Sequence, residues 1–312
     1  MNILEKLEEN IASVIVGKRE VIENVLVVLL AGGHTLIEDV PGVGKTYLAK
    51  SLALSIDAKF KRIQFTPDLL PTDVTGVSIY NQKTRTFEFQ DGPVFTNILL
   101  ADELNRATPR TQSSLLECMQ EHQVTVDGKT HLLPRVFFVI ATQNPVEQQG
   151  VYNLPEAQLD RFLMQIKIGY PSRAAEVKII EDQKIKHPIE SIKPVTNIEE
   201  IYKLIEEVKN VHIDTSLENY IVEIVSATRN HKDLILGASP RASLAIYRAS
   251  QAFAFLRRKS FVAPDIIKRF ALPVLRHRLI LHPQASIGGL TPDRIIQDIL
   301  NTVPVPIKSG SD

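Results

Sequence analysis

The chain has no tryptophan, only three methionines and a single cysteine, Cys118. One cysteine cannot form an internal disulfide, and a reducing compartment suits such a chain. Charge of one sign is missing too: Lys and Arg total 36, and Asp and Glu total 36. That balance removes the basic footprint by which proteins hold nucleic acid or anionic membrane non-specifically, so nucleic acid is not an expected partner. The longest apolar run, Val25 to Ala31, is too short to cross a bilayer, and no membrane insertion is expected. The N-terminus, Met1-Asn2-Ile3-Leu4-Glu5-Lys6, turns acidic at once and lacks a secretory pattern, so a cytoplasmic location is expected. The eight histidines are scattered, without His-x-x-x-His, and no Gly-x-Ser-x-Gly supports serine hydrolase chemistry. Cys118 and His122 stand four apart on a helix candidate, but two donors do not make a metal site, and both read as structural.

What is present is ordinary in bulk and specific in detail. A length of 312 residues leaves room for two cores. Directly after the apolar Thr35-Leu36-Ile37 comes Glu38-Asp39-Val40-Pro41-Gly42-Val43-Gly44-Lys45-Thr46. This is close to a P-loop, the strand-to-helix turn that wraps nucleotide phosphates. Gly42 and Gly44 let the backbone approach an anion, with successive N–H groups facing it. Lys45 adds a charge near the β- and γ-phosphates, and the Thr46 hydroxyl suits Mg2+. The pattern Gly-x-x-x-x-Gly-Lys-Ser/Thr places glycine at position 39, where this chain has Asp39. A helix is expected over Tyr47 to Ser55.

Further along, Ile98-Leu99-Leu100-Ala101 runs into Asp102-Glu103. An apolar strand ending in two acids complements a P-loop: Asp102 would hold Mg2+, and Glu103 would orient and deprotonate the attacking water. A third strand, Val136 to Ala141, ends in Thr142-Gln143-Asn144-Pro145, where Asn144 could bond the γ-phosphate or the water; the bland alternative is a turn. In Leu154-Pro155-Glu156-Ala157-Gln158-Leu159-Asp160-Arg161-Phe162, Arg161 is either paired with Asp160 or Glu156, or is an arginine finger for a neighbouring subunit. Gly237-Ala238-Ser239-Pro240-Arg241-Ala242 opens a helix, which would place Arg241 on a first turn, able to swing toward the phosphates.

Taken in this order and spacing, these five phrases resemble an AAA+ ATPase, and more narrowly the MoxR family, over about residues 10 to 300. The resemblance implies an α/β P-loop NTPase core with a parallel sheet and hairpin insertions, followed by an all-α lid. It implies Lys45 and Thr46 as Walker A, Asp102 and Glu103 as Walker B, Asn144 as sensor 1, Arg161 as arginine finger (with Arg106 and Arg110 as alternatives) and Arg241 as sensor 2. Around the nucleotide it places Pro41, Gly42, Val43, Gly44, Lys45, Thr46 and Tyr47, with Ile15-Val16-Gly17 beside the adenine. ATP or ADP with Mg2+ is the implied ligand, and Thr46 and Asp102 its metal side. A homo-oligomeric ring, most often a hexamer, is implied, with client protein complexes and von Willebrand factor A domain proteins as partners.

Strands are expected over Thr35 to Glu38, Phe60 to Phe65, Ile98 to Ala101, Val136 to Ala141 and Met164 to Ile168, alternating with helices. Two hairpins interrupt the series: Thr75 to Phe89 around a polar turn, and Gln123 to Leu132 around Asp127-Gly128, a type I′ signal. In similar proteins such hairpins face the pore of a ring; the alternative is surface decoration. From about residue 190 the chain reads as helical. A capping box is expected at Thr196-Asn197-Ile198-Glu199, and helices over Leu217 to Asn230, Pro240 to Arg258, Pro264 to His277 and Pro292 to Leu300. The division expected is 1–190 for the nucleotide core and 191–312 for the lid, with the nucleotide at their junction. Arg257-Arg258-Lys259 reads as a solvated helix end. Three other functions stay open on the residues alone: a P-loop small-molecule kinase, a nucleotide-gated scaffold with little turnover, and a DNA motor.

Overall fold

The computed structural model describes residues 2–40, 42–144, 151–184 and 186–306. Helices α1 (Ile3–Ala12) and α2 (Arg19–Leu30) come first, then β1 (Thr35–Glu38), α3 (Lys45–Ser55) and β2 (Phe60–Gln64). A short α4 (Pro71–Thr75) leads into the hairpin β3 (Gly76–Asn81) and β4 (Thr86–Asp91). Next are β5 (Ile98–Asp102), α5 (Pro109–Glu121), the second hairpin β6 (Gln123–Val126) and β7 (Lys129–Leu132), and β8 (Phe138–Gln143). The core closes with α6 (Glu156–Leu159), β9 (Met164–Ile166) and α7 (Arg173–Asp182). After it come α8 (Ile198–Val208), α9 (Thr215–Arg229), β10 (Leu234–Leu236), α10 (Pro240–Leu256), α11 (Pro264–Leu275), β11 (Ile280–Leu281), α12 (Pro283–Ile287) and α13 (Pro292–Thr302).

Five strands form one parallel sheet in the order β2-β5-β8-β1-β9. Both faces of its central strands are covered, which is why β5 and β8 open as unbroken apolar runs, while the edge strand β2 carries exposed polar residues. Side chains alternate between the faces. Leu36, Leu99, Ala101, Val139 and Ala141 pack with α5 through Leu115, Leu116 and Met119. Ile37, Ile98, Leu100, Phe138 and Ile140 pack in the other direction, in one cluster that runs through α1, α2 and α3 into the helices after residue 197. Each such fully buried aliphatic side chain contributes about 1.5–3 kcal/mol.

The hairpin β6–β7 has the bounds and turn that its Asp-Gly implies: Asp127 (φ 50°) and Gly128 (φ 75°) both lie in the left-handed region. The two hairpins meet through Phe89 of β4 stacked on His131 of β7, ring centres 3.9 Å apart. The cap of α8 falls one residue later than expected. Asn197 accepts from the Glu200 N–H at 3.0 Å, and Thr196 donates its hydroxyl to Glu200 at 2.5 Å. Asn197, the better capping residue of the two, takes the N-cap position and the N3 N–H of Glu200, and Thr196 bonds the Glu200 side chain instead. The helical lid also carries a short antiparallel pair, β10 with β11.

The lid is not laid over the P-loop. It packs on α1 and α2 and on the segment that starts β9. Arg257 forms ion pairs with Glu8 and Glu23, Arg269 pairs with Glu23 at 2.5 Å, and Arg258 with Glu5 at 3.1 Å. Arg257 thus ties the end of α10 to the acidic side chains of α1 and α2, while Arg258, 59% exposed, and the exposed Lys259 keep the character of a solvated helix end. At the other end Arg278 donates to Asp160 Oδ1 at 2.7 Å and to the Phe162 carbonyl at 2.6 Å. No described helix is long and apolar enough to cross a membrane.

Candidate active site

The C-terminal ends of β1, β5 and β8 converge on a cavity of about 420 Å3, as open parallel sheets arrange it. Gly42 (φ 84°) and Gly44 (φ 91°) hold the loop in backbone that side chains resist. Space around Gly42 is open, with nothing within 4 Å of an added Cβ, so the loop can be approached closely there. Pro41 and Pro145 lie outside the described residues.

Asp39 has a local reason to replace glycine. Its φ is not positive, so glycine's freedom is not needed. Its Oδ2 accepts the N–H groups of Ile168 at 2.6 Å and Gly169 at 2.5 Å, and Oδ1 accepts that of Val40 at 2.8 Å. The carboxylate therefore ties the loop to the chain leaving β9. Lys18 holds the same passage through the carbonyls of Ile168 and Tyr170 at 2.6 and 2.8 Å.

Lys45 donates to the Asp39 carbonyl at 2.5 Å. Burial lowers its pKa, and the carboxylates of Asp39, Asp102 and Glu103 work against that lowering. Thr46 and Tyr47 line the same cavity. Tyr47 also stacks on His187, with centres 4.2 Å apart and planes 20° apart. Ile15 sits beside the loop, 3.9 Å from where a Cβ on Gly44 would be. Gly17 (φ 74°) lies against α7, so close that a Cβ would meet Ala175 at 3.0 Å. Val43 packs on the main core, while nothing comparable ties Val16 into the site.

Thr142 organises the two acids. Its hydroxyl donates to Asp102 Oδ1 at 2.6 Å and accepts the Glu103 N–H at 2.9 Å. Glu103 is held at φ 55°, ψ 47°, a strained geometry that costs a non-glycine residue on the order of 1–3 kcal/mol and clusters at functional sites. Its Oε2 accepts from Gln64 at 2.5 Å and from Arg106 at 2.8 Å. Arg62 donates to Asp102 Oδ2 through Nη2 at 2.7 Å and Nε at 3.1 Å. Asn144 is buried and lines the cavity. The sequence reading missed Arg62, Gln64 and Thr142. A signal existed for the first two: β2 ends in polar residues two apart, on one face of an edge strand. Arg106 is engaged with Glu103 of its own chain.

Arg161 and Arg241 are elsewhere. Both line a second cavity, of about 350 Å3, together with His34, Leu163 and Arg248. His34 directly precedes β1 and Leu163 directly precedes β9, so this cavity lies at the N-terminal edge of the sheet. The four residues of β1 alone span about 13 Å at 3.3 Å each. The expectations that Arg241 swings toward its own chain's phosphates, and that nucleotide sits between core and lid, are thereby corrected. The lid docks behind α2, and α10 begins where Ser239 donates to Asp160 Oδ2 at 2.8 Å. Asp160 binds Arg278 and Ser239, not Arg161, whose buried Nε has no partner among the described residues.

Comparison with known proteins gives these arrangements a context. Residues 34–164 match the family described as ATPase family associated with various cellular activities (AAA), and residues 226–299 match an AAA lid domain. The chain is 53% identical over 309 residues to the uncharacterized protein YeaC of Bacillus subtilis, covering 99% of this chain and 97% of that one. It is 42% identical to Chaperone MoxR1 of Mycobacterium tuberculosis, covering 97% of this chain and 82% of the relative. A crystal structure described as a candidate ATPase from Cytophaga hutchinsonii superimposes with a TM-score of 0.92 at 40% identity, covering 98% and 96% of the two chains.

Proposed function

The chain belongs to the MoxR family of AAA+ ATPases, and from that premise we propose that it hydrolyses ATP in sites completed by a second copy of the chain. One observation carries this reading: the acids and Lys45 stand at one end of the sheet, and Arg161 and Arg241 at the other. One protomer grips the triphosphate, and the next supplies the arginines. A head-to-tail contact of this kind closes into a ring, and a hexamer is the closure the resemblance implies.

The residues fit a magnesium nucleotide. Thr46 and Asp102 offer oxygens, the donors magnesium prefers, beside the Lys45 ammonium. Bound there, Mg2+ would offset charge on the triphosphate. Lys45 exchanges the Asp39 carbonyl for phosphate oxygens. Glu103 takes the proton of the attacking water once it is released from Gln64 and Arg106, and Asn144 orients that water. Arg161 and Arg241 of the neighbouring copy stabilise the charge that develops in the transition state. Ile15, Val16, Gly17 and Tyr47 flank the base.

Within this reading residues 1–190 form the nucleotide core and 191–312 the lid, and the protein works in the cytoplasm. Its clients are protein complexes under assembly, von Willebrand factor A domain proteins among them. The joined hairpins present the side that touches them: Phe87, 70% exposed, and its cross-strand neighbour Tyr80, 49% exposed, form an aromatic pair on the surface. Phosphate release measured against protein concentration tests the shared site. Specific activity is expected to fall on dilution, and Arg161→Ala to lose about 10³-fold in rate and, in mixed rings, to disable the site it should complete. A flat concentration profile with an unaffected mixture overturns the proposal.

A further inference from the structure

Arg62 belongs to no motif, yet its ion pair with Asp102, at 2.7 Å, is the shortest among the described residues of the active site. Asp102 has two carboxylate oxygens. Thr142 holds Oδ1, and Arg62 holds Oδ2 through two N–H groups. A cation arriving at Asp102 therefore meets an oxygen that is already paired. The same Nη2 donates to Gln64 Oε1 at 2.7 Å, and Gln64 Nε2 donates to Glu103 Oε2 at 2.5 Å. Arg62 thus sits at the head of a chain of bonds that runs from the metal-side carboxylate to the general base. The pair is lightly held: the Arg62 side chain is 47% exposed and that of Asp102 15%.

We propose that Arg62 is the resting counter-ion of Asp102, displaced when Mg2+ and nucleotide are bound, and that its departure loosens the hold of Gln64 on Glu103. This deepens the reading of the site as a magnesium-nucleotide site and rests on it. Before a cation binds, the guanidinium offsets the charge of Asp102, which faces Glu103, and Lys45 and Arg106 stand nearby. When Arg62 yields Oδ2, its fork no longer fits both Asp102 and Gln64, because the planar guanidinium made both bonds from one position. Gln64 is then free to turn, and Glu103 keeps Arg106 alone. Arg62 is a positioning residue: it acts on the base through Gln64 and on the metal through Asp102. The competing role is structural. Arg62 stands opposite Leu100 in the β2–β5 register, so Asp102 is its diagonal neighbour across the strands, a pairing that can simply brace the sheet edge.

The test titrates Mg2+ against binding of N-methylanthraniloyl-AMPPNP, a fluorescent non-hydrolysable ATP analogue, to the full chain. In Arg62→Ala the Mg2+ concentration at half-maximal binding is expected to fall about twofold to fivefold, the scale of a half-exposed ion pair. In Arg62→Lys, which keeps the charge and loses the fork, it is expected to stay within about twofold of wild type. A midpoint that is unchanged or raised in Arg62→Ala overturns the proposal, as does wild-type binding that ignores magnesium. Arg62→Gln must repeat the result if the alanine variant does not fold, as judged by thermal unfolding without nucleotide. Wild type that never binds the analogue removes the nucleotide reading itself; wild type that binds it with no shift in the variants removes this proposal alone.

Discussion

Asp39 shows how one residue can leave a motif and keep its purpose. The first glycine of a P-loop is a matter of backbone freedom, but here the position does not demand it, and the carboxylate does another task. Its charge-assisted bonds to two N–H groups after β9 are of the stronger kind, together worth roughly 3–6 kcal/mol. Restoring the motif by Asp39→Gly is therefore expected to lower stability by about that amount, read from the urea midpoint at constant slope. A stability equal to or above wild type refutes this account of the residue. Lys45, Thr46, Asp102 and Glu103 were legible because a short contiguous phrase carries each. Arg62 and Gln64 left only a weak trace, two polar positions on one face of β2, and Thr142 left none: their meaning comes from β2 and β8, the strands that flank β5.

Elements were read well where local chemistry sets them. All five sheet strands were legible, four from apolar stretches and β2 from its place in the alternation of strands and helices, and Asp127-Gly128 marked its turn. Caps were placed less well, since Asn197 and Thr196 compete for the same helix start and Asn is the preferred cap. How elements are fastened to one another was not legible. His34 pins three of them: preceding β1, it accepts the Val139 N–H of β8 on Nδ1 at 3.1 Å and donates from Nε2 to Met119 O of α5 at 3.2 Å. Burial lowers its pKa from 6.5 to about 4, with His122 adding to the effect. Between those values the unfolded chain binds more protons than the folded one, so stability falls as pH drops through that window. The full loss is about 3 kcal/mol and is reached below pH 4. His277, buried against the Phe162 carbonyl with its pKa also lowered by burial, adds with the same sign. Urea midpoints taken from pH 7 to pH 4 should trace this fall. His34→Gln should flatten the slope and leave only the share of His277, and an unaltered slope would rule His34 out.

At the scale of the molecule, the decisive fact is that the lid, with Arg241, sits behind α2 while Arg161 lies just before β9, so both arginines stand at the sheet edge opposite their own chain's Lys45. This gives a complementation test for the proposed ring. Lys45→Ala and Arg161→Ala chains are each expected to be inactive. An equal mixture should regain activity, because roughly a quarter of randomly formed head-to-tail junctions join an intact Lys45 to an intact Arg161. Mixtures that stay inactive while still assembling would mean that each chain completes its own site. The sequence by itself determined the α/β core, the helical lid, the contiguous glycine loop before Lys45 and the Asp102-Glu103 strand end, since those depend on backbone freedom, strand burial and neighbouring residues. Only the tertiary structure decided which of these meet. Arg241 follows Ser239, and Ser239 is bonded to Asp160, so the packing of the lid on α2 places that arginine beside Arg161. A sequence motif specifies what a residue can do, whereas the side of the sheet it reaches is set by long-range packing that no local pattern encodes.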